Sequence, residues 1–389
     1  MTAPVSPASS LRIVHVIESF AGGSIVLIIL LARQLRDCEH IVIHGERSNE
    51  QAKEEVRRLF GDRVAFHHWR GAQREIHPQR DWQAYADLRS QLAGLRFEVL
   101  HLHCAKAGFL GRLAARSLGI DAVIYSPQAA PFLRKDISSW KRALFVRLER
   151  WANRMSGRVV ATSASEQEAF QREGIPALCI PNGVEMPETA PPPPPASRQK
   201  PIRVVTVGRL TPQKNPLQFA RIAEIFSEDE RIAFEWIGDG EMRKEVASEA
   251  FTISGWLSQT EVHQRVRQAH IYLSTALWEG LPFAVLEAMS LSKPLLLRDC
   301  VGNRDCVDSR RNGFLFDRDE EAIAHLQAWI QTPEALEAMG EASWAVCRER
   351  YHISDIGACF RKLYGHLASH PSAKALPSGS WNFVAMPPS

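Results

Sequence analysis

The chain has 389 residues, enough at about 150 residues per domain for two or three domains with sizeable cores. Apolar residues make up 45% and charged residues 23%, a globular composition that excludes a disordered or fibrous protein. The 47 basic and 44 acidic side chains balance to +3, too little to mark a dedicated nucleic-acid binder.

The first ten residues are small and polar, lack the basic-then-apolar plan of a secretory signal, and are expected to be flexible. From Leu11 onward, β-branched runs at 12–17, 41–44, 64–67, 99–103, 123–125 and 159–162 alternate with helical patterns such as 81–93, 107–118 and 138–155. That alternation predicts βαβ units and a parallel sheet. The apolar stretch 24–32 is closed by Arg33 and falls short of the roughly 20 residues a membrane span requires, so it reads as a buried helix. A proline run at 191–195 opens a stiff linker, 191–200, because it has no backbone N–H to give to a ladder. Strand-like runs resume at 202–207, 233–237, 251–254, 271–274 and 295–297, and helices are predicted at 319–331, 333–350 and 355–368. The tail 370–389, rich in Pro, Ser and Ala, reads as disordered. The expected class is α/β: two doubly wound, Rossmann-like domains, 11–190 and 201–352, facing across a cleft, with a helix at 353–369 crossing back to the first. Ligands in such sheets bind beyond the carboxyl ends of the strands.

Two segments at such ends carry chemistry. In the first, a strand ends at Val207, Gly208 frees the backbone, and Arg209 and Lys214 follow before the next helix. Two cations near a helix start can converge on a diphosphate, although solvated surface cations would look the same. In the second, Glu279-Gly280-Leu281-Pro282-Phe283 leads into a helix bearing Glu287. Pro282 suits a first helical turn, the N–H groups of Phe283 and Ala284 would face a phosphate, and Glu287 can accept hydrogen bonds from the vicinal hydroxyls of a ribose.

The pair Glu279 and Glu287, seven residues between them, together with Gly208-Arg209 and Lys214, resembles the retaining glycosyltransferases of family 4, which have the GT-B fold. Ala21-Gly22-Gly23, His101-Leu102-His103 with Lys106-Ala107-Gly108, Pro181-Asn182-Gly183-Val184, Gly238-Asp239-Gly240 and Gly302-Asn303-Arg304-Asp305 resemble further motifs of that family in order, over about residues 11–368. The resemblance implies a nucleotide-diphosphate sugar as donor, with Arg209 and Lys214 neutralising its diphosphate, Glu287 on the ribose and Glu279 on the sugar or its phosphate. Gly208, Gly280, Leu281, Pro282 and Phe283 would complete the donor site, and Gly22 and Gly23 would close over the phosphate from the other domain. His103, Lys106 and Gln128 are the acceptor-side candidates. It also implies retention of configuration, no metal or other cofactor, and a lipid-linked or saccharide acceptor in bacterial surface polysaccharide assembly, in the cytoplasm or at the inner membrane face.

Gln128, in Pro127-Gln128-Ala129, stands where the family commonly has Pro-His-Gly, and an amide cannot shuttle a proton as that histidine would. A catalytically silent homologue acting as a binding subunit is the rival this substitution keeps open, alongside other GT-B enzymes such as a nucleotide-sugar epimerase. Residues 131–158 place Trp140, Leu144, Phe145, Leu148 and Trp151 at helical spacing among eight basic residues. Such a helix suits either an anionic membrane surface or an ordinary core stripe under a solvated face. Asp317-Arg318-Asp319 has the spelling of a metal motif but sits where helix capping explains it. Seven cysteines without a Cys-x-x-Cys pair and histidines without ligand spacing assign no metal, and the cysteines fit a reducing compartment.

Overall fold

The computed structural model describes residues 10–20, 22–45, 53–61, 64–73, 77–192 and 201–371. Ala21 of the glycine segment, most of the expected linker (193–200), the first nine residues and the tail from 372 lie outside them. The first half contains strands β1 (Arg12–Ile17), β2 (Glu39–His44), β3 (Val64–His68), β4 (Val99–His103), β5 (Val123–Ser126), β6 (Arg158–Ala161) and β7 (Ala177–Cys179). Its helices are α1 (Gly23–Gln34), α2 (Lys53–Phe60), α3 (Pro78–Gly94), α4 (Ala105–Leu118), α5 (Ser139–Met155) and α6 (Ala164–Arg172). The second half contains β8 (Ile202–Val207), β9 (Ile232–Ile237), β10 (Thr252–Ile253), β11 (Ile271–Ser274), β12 (Leu295–Arg298) and β13 (Gly313–Phe316). Its helices are α7 (Pro216–Glu224), α8 (Gln259–Gln268), α9 (Phe283–Ser290), α10 (Asn303–Cys306), α11 (Asp319–Gln331), α12 (Ala335–Tyr351) and α13 (Ile353–Ser369).

Among the described residues every pairing between the named strands is parallel. The orders are β3-β2-β1-β4-β5-β6-β7 and β10-β9-β8-β11-β12-β13. Strand order therefore reverses between β1 and β4 in one sheet and between β8 and β11 in the other, the two switch points where a crevice opens. Two short strands were not predicted. β7 is three residues long and half-buried, and β13 begins at a glycine, so neither shows a β-branched run.

The apolar helix α1 is buried, as its composition requires. Leu27, Leu30 and Leu31 pack with Ile356, Phe360 and Leu363 of α13, while Ile25, Ile28 and Ile29 pack with Phe20, Val56 and Phe60. α13 follows α12 of the second half yet lies on α1 and β4 of the first. The two chain crossings run side by side: Val184 N–H donates to Tyr351 O (2.9 Å) and Ile353 N–H donates to Val184 O (3.1 Å). A Cβ at position 183 would lie 2.9 Å from Ile353 Cδ1 and 3.1 Å from its Cα, so glycine gives these crossings room to touch.

Candidate active site

The loops after β8 and β11 build one wall of the cleft. A side chain at position 208 would crowd Lys214 Cε at 3.2 Å, so Gly208 allows the lysine to lie back across the strand end. Lys214 Nζ donates to Glu279 Oε1 at 2.7 Å, the lysine side chain being 25% and the glutamate 9% exposed. Gln213 Nε2 donates to Trp278 O (2.9 Å) and Glu279 Oε2 (3.4 Å), and Thr275 Oγ1 donates to Lys214 O (2.9 Å). The two loops are thus zipped together, with an ammonium and a carboxylate in contact between them. Arg209 is exposed on the same turn. Sequence reasoning set Lys214 and Arg209 on one anion; the structure gives the lysine a carboxylate neighbour, whose attraction fixes its direction while leaving two of its three N–H bonds for other acceptors.

Glu287 lies on α9, its carboxyl desolvated by its surroundings so that its pKa is pushed up to about 7. Glu279 and Glu287 both contribute, after burial, to raising the phenol of Tyr272, whose hydroxyl meets the Val207 amide at 3.3 Å. Both carboxylates thus lie within electrostatic reach of Tyr272, beside the Val207 strand end. Pro282 precedes the helix as its N-cap instead of occupying the first turn; its carbonyl accepts from Val285 and Leu286, so the amides of Phe283 and Ala284 head the helix.

The opposite wall comes from the first sheet and touches this one. A Cβ at Gly23 would lie 3.0 Å from the Phe283 ring, whereas Gly22, at φ 82°, opens onto empty space. A Cβ at Gly280 would lie 2.6 Å from the Ala129 amide, so no other residue permits the approach of these loops. Asn182 Nδ2 donates to Leu281 O (2.8 Å), and its amide pairs with that of Gln128 (3.2 and 3.3 Å). Ser165, at the start of α6, donates both its amide (3.0 Å) and its hydroxyl to the carboxylate of Asp305 on α10.

Two of the acceptor-side candidates hold partners within the first half. His103 has no exposed surface: its Nε2 meets His15 Nδ1 (3.1 Å), His15 Nε2 meets His40 Nδ1 (3.0 Å), and His40 Nε2 meets Leu35 O (3.3 Å). The carbonyl can only accept, so each imidazole in the row donates toward it, and burial holds all of them neutral. His15, His101 and His103 bring ligand atoms within 4.8 Å of one another, a convergence hidden from sequence because His15 lies on a different strand. His101 is itself engaged with Tyr364 Oη (2.7 Å) and Ser126 Oγ (2.9 Å). Lys106 Nζ reaches Asp81 at 2.6 Å and is 9% exposed, so it joins α4 to the start of α3. Asp319 of the Asp-x-Asp segment bonds Gln218 (2.7 Å) and Arg221 (2.8 Å), while Glu321 reaches back to cap the helix.

Residues 22–183 match the family described as Glycosyl transferase 4-like domain, and residues 190–344 match Glycosyl transferases group 1. The chain belongs to the group 1 glycosyltransferases. The glycosyltransferase is 27% identical over 271 residues, 64% of its own length and 69% of the relative's, to UDP-Gal:alpha-D-GlcNAc-diphosphoundecaprenol alpha-1,3-galactosyltransferase of Escherichia coli. It is 31% identical over 191 residues to lipopolysaccharide 1,6-galactosyltransferase of Salmonella typhimurium, covering 44% of this chain and 52% of that one. Its fold superposes on the Anabaena protein HepE in complex with UDP and glucose (TM-score 0.73, 17% identity, 92% of this chain and 100% of that one). It also superposes on sucrose-phosphate synthase from Thermosynechococcus elongatus (TM-score 0.75, 14% identity, 92% and 99%). The architecture is the two-domain GT-B fold.

Proposed function

We propose that this glycosyltransferase moves a hexosyl unit, with retention, from a nucleotide-diphosphate sugar to a lipid-linked or saccharide acceptor in surface polysaccharide assembly. The observation that carries the reading is the contact of Lys214 with Glu279 beside Glu287 and the start of α9, at the switch point of the second sheet. Lys214, Arg209 and the amides of Phe283 and Ala284 meet the diphosphate and stabilise it as it leaves. Glu287 accepts the ribose hydroxyls and Glu279 a hydroxyl of the sugar. These fixed positive groups do the work for which other enzymes recruit a divalent cation. Gln128 can bond a sugar hydroxyl without taking a proton, so the departing phosphate receives the proton of the acceptor. Among the described residues no helix is long and apolar enough to cross a membrane; the exposed aromatic and basic face of α5 suits an anionic lipid surface.

The relatives' names make UDP-galactose the first donor to try, with GlcNAc-diphosphoundecaprenol as acceptor. The expected result is UDP release that persists in EDTA and falls about 100-fold in Arg209→Ala and Glu279→Gln. Donor binding with neither transfer nor hydrolysis would put the silent-subunit reading in its place.

A further inference from the structure

Gln128 and Ala129 adopt left-handed backbone angles, φ 58° and 95°, although neither is glycine. They are adjacent, and the turn they form is pressed against Gly280 across the seam between the sheets, where a Cβ at Gly280 would lie 2.6 Å from the Ala129 amide. Strain of this kind persists only where the surroundings impose it. Beside Gly280 and Asn182, one buried side chain bonds the turn's amides directly. Glu166, fully buried, accepts through Oε1 from the amides of Ala129 (3.0 Å) and Ala130 (2.9 Å), and through Oε2 from the amide (2.8 Å) and hydroxyl (2.9 Å) of Thr162. Ser163 and Glu166 have the spelling of a capping box, and Ser163 Oγ does accept from the Glu166 amide. The carboxylate, however, reaches past the cap residue to the strained turn.

We propose that Glu166 is a positioning residue of the transfer reaction: its carboxylate holds the Gln128–Ala129 turn in its left-handed form, and so presents the Gln128 amide, paired with Asn182, to the sugar end of the donor at Gly280. The inference rests on the glycosyltransfer reading above. The bonds of the Glu166 carboxylate go to the Ala129–Ala130 turn and to Thr162, whereas Lys214 and Glu287 belong to the second half. Loss of Glu166 therefore affects the chemical step and spares nucleotide affinity. Glu166→Gln turns an acceptor oxygen into an N–H group facing N–H donors, which releases one side of the clamp.

The test measures kcat and KM with UDP-galactose, UDP affinity by calorimetry, and melting temperature, in wild type, Glu166→Gln, and Glu166→Gln with Ala129→Gly. Glycine adopts φ 95° freely, so it supplies the turn without the clamp. The expected result is a kcat lowered at least tenfold in Glu166→Gln with UDP affinity within twofold of wild type, and recovery of most of that loss in the double variant. Unchanged kcat in Glu166→Gln, or a double variant as slow as the single one, would overturn the proposal. Should Glu166→Gln fail to fold, Ala129→Val distorts the same turn with Glu166 in place; the same kcat-selective loss supports the proposal, and wild-type kcat overturns it. A wild-type chain that transfers nothing overturns the function itself, and that outcome is distinct from a wild type that works beside an unaffected variant.

Discussion

A carboxyl group poised near neutrality titrates with its ligand, and Glu287 is such a group. With its pKa at about 7, it is mostly protonated at pH 6 and mostly ionised at pH 8. Ribose hydroxyls donate to it, and a carboxylate accepts far better than a carboxylic acid, so binding favours the ionised form. Affinity for UDP-galactose, whose bridged diphosphate does not titrate in this range, should tighten roughly five- to tenfold from pH 6 to pH 8. Glu287→Gln should bind weakly at both pH values, and calorimetry that finds a pH-independent wild type would remove Glu287 from the ribose. The neighbouring pair makes a separate demand. Glu279 is 9% exposed and holds Lys214 at 2.7 Å, so Lys214→Met leaves a nearly buried carboxylate with Gln213 as its remaining bond. That variant should lose about 2 kcal/mol in denaturant unfolding, and adding Glu279→Gln should return part of the loss, because the unpaired charge and not the missing lysine is what costs.

At the scale of an element, α5 carries an exposed stripe. Trp140 (65% exposed), Leu144 (40%) and Trp151 (47%) recur at spacings that keep them on one helix face with Arg147 and Arg154, while Val146, Glu149 and Ala152 turn inward. Glu149 is taken up by buried Arg112 at 2.7 Å, so the one acid of the helix adds no negative charge to the outer face. Aromatic rings beside cations suit the headgroup region of an anionic bilayer. Trp140→Ala with Trp151→Ala should reduce sedimentation with phosphatidylglycerol vesicles several-fold and leave UDP affinity unchanged; equal sedimentation would make the stripe mere surface. This helix also marks what a sequence yields. Its period and the β-branched runs of β1, β4, β8 and β11 are local patterns, and each points to where the structure puts it. The contact of His103 with His15, the bond of Lys106 to Asp81, the clamp of Glu166 on Ala129 and the bond of Ser165 to Asp305 join residues far apart in sequence. No local pattern encodes them. The sequence therefore shows His103, Lys106 and Glu166 without the partners they hold inside the fold.

At the scale of the whole molecule, strands of the first sheet are joined by imidazoles that burial keeps neutral at ordinary pH. His15, His101 and His103 are fully buried and His40 nearly so; desolvation lowers all four, His40 to about 4 and His103 to about 3. The row reaches from β4 through β1 and β2 to the Leu35 carbonyl, and His101 ties β4 to Tyr364 of α13, the helix that returns from the second half. In the unfolded chain these histidines bind protons below their ordinary pKa of about 6.5, whereas in the fold they stay neutral. The unfolded state therefore holds more protons, and stability falls as pH drops from 6.5 toward 4. At pH 5 each histidine that remains neutral in the fold costs about 2 kcal/mol relative to pH 7. Several acting together place acid unfolding well above the range in which carboxylates titrate. Guanidinium melts between pH 7 and 5 should show this slope, and His40→Gln, which keeps an amide able to bridge His15 and the Leu35 carbonyl, should reduce it by about one proton. A wild-type stability flat over that interval would mean that the row opens to solvent and protonates within the fold.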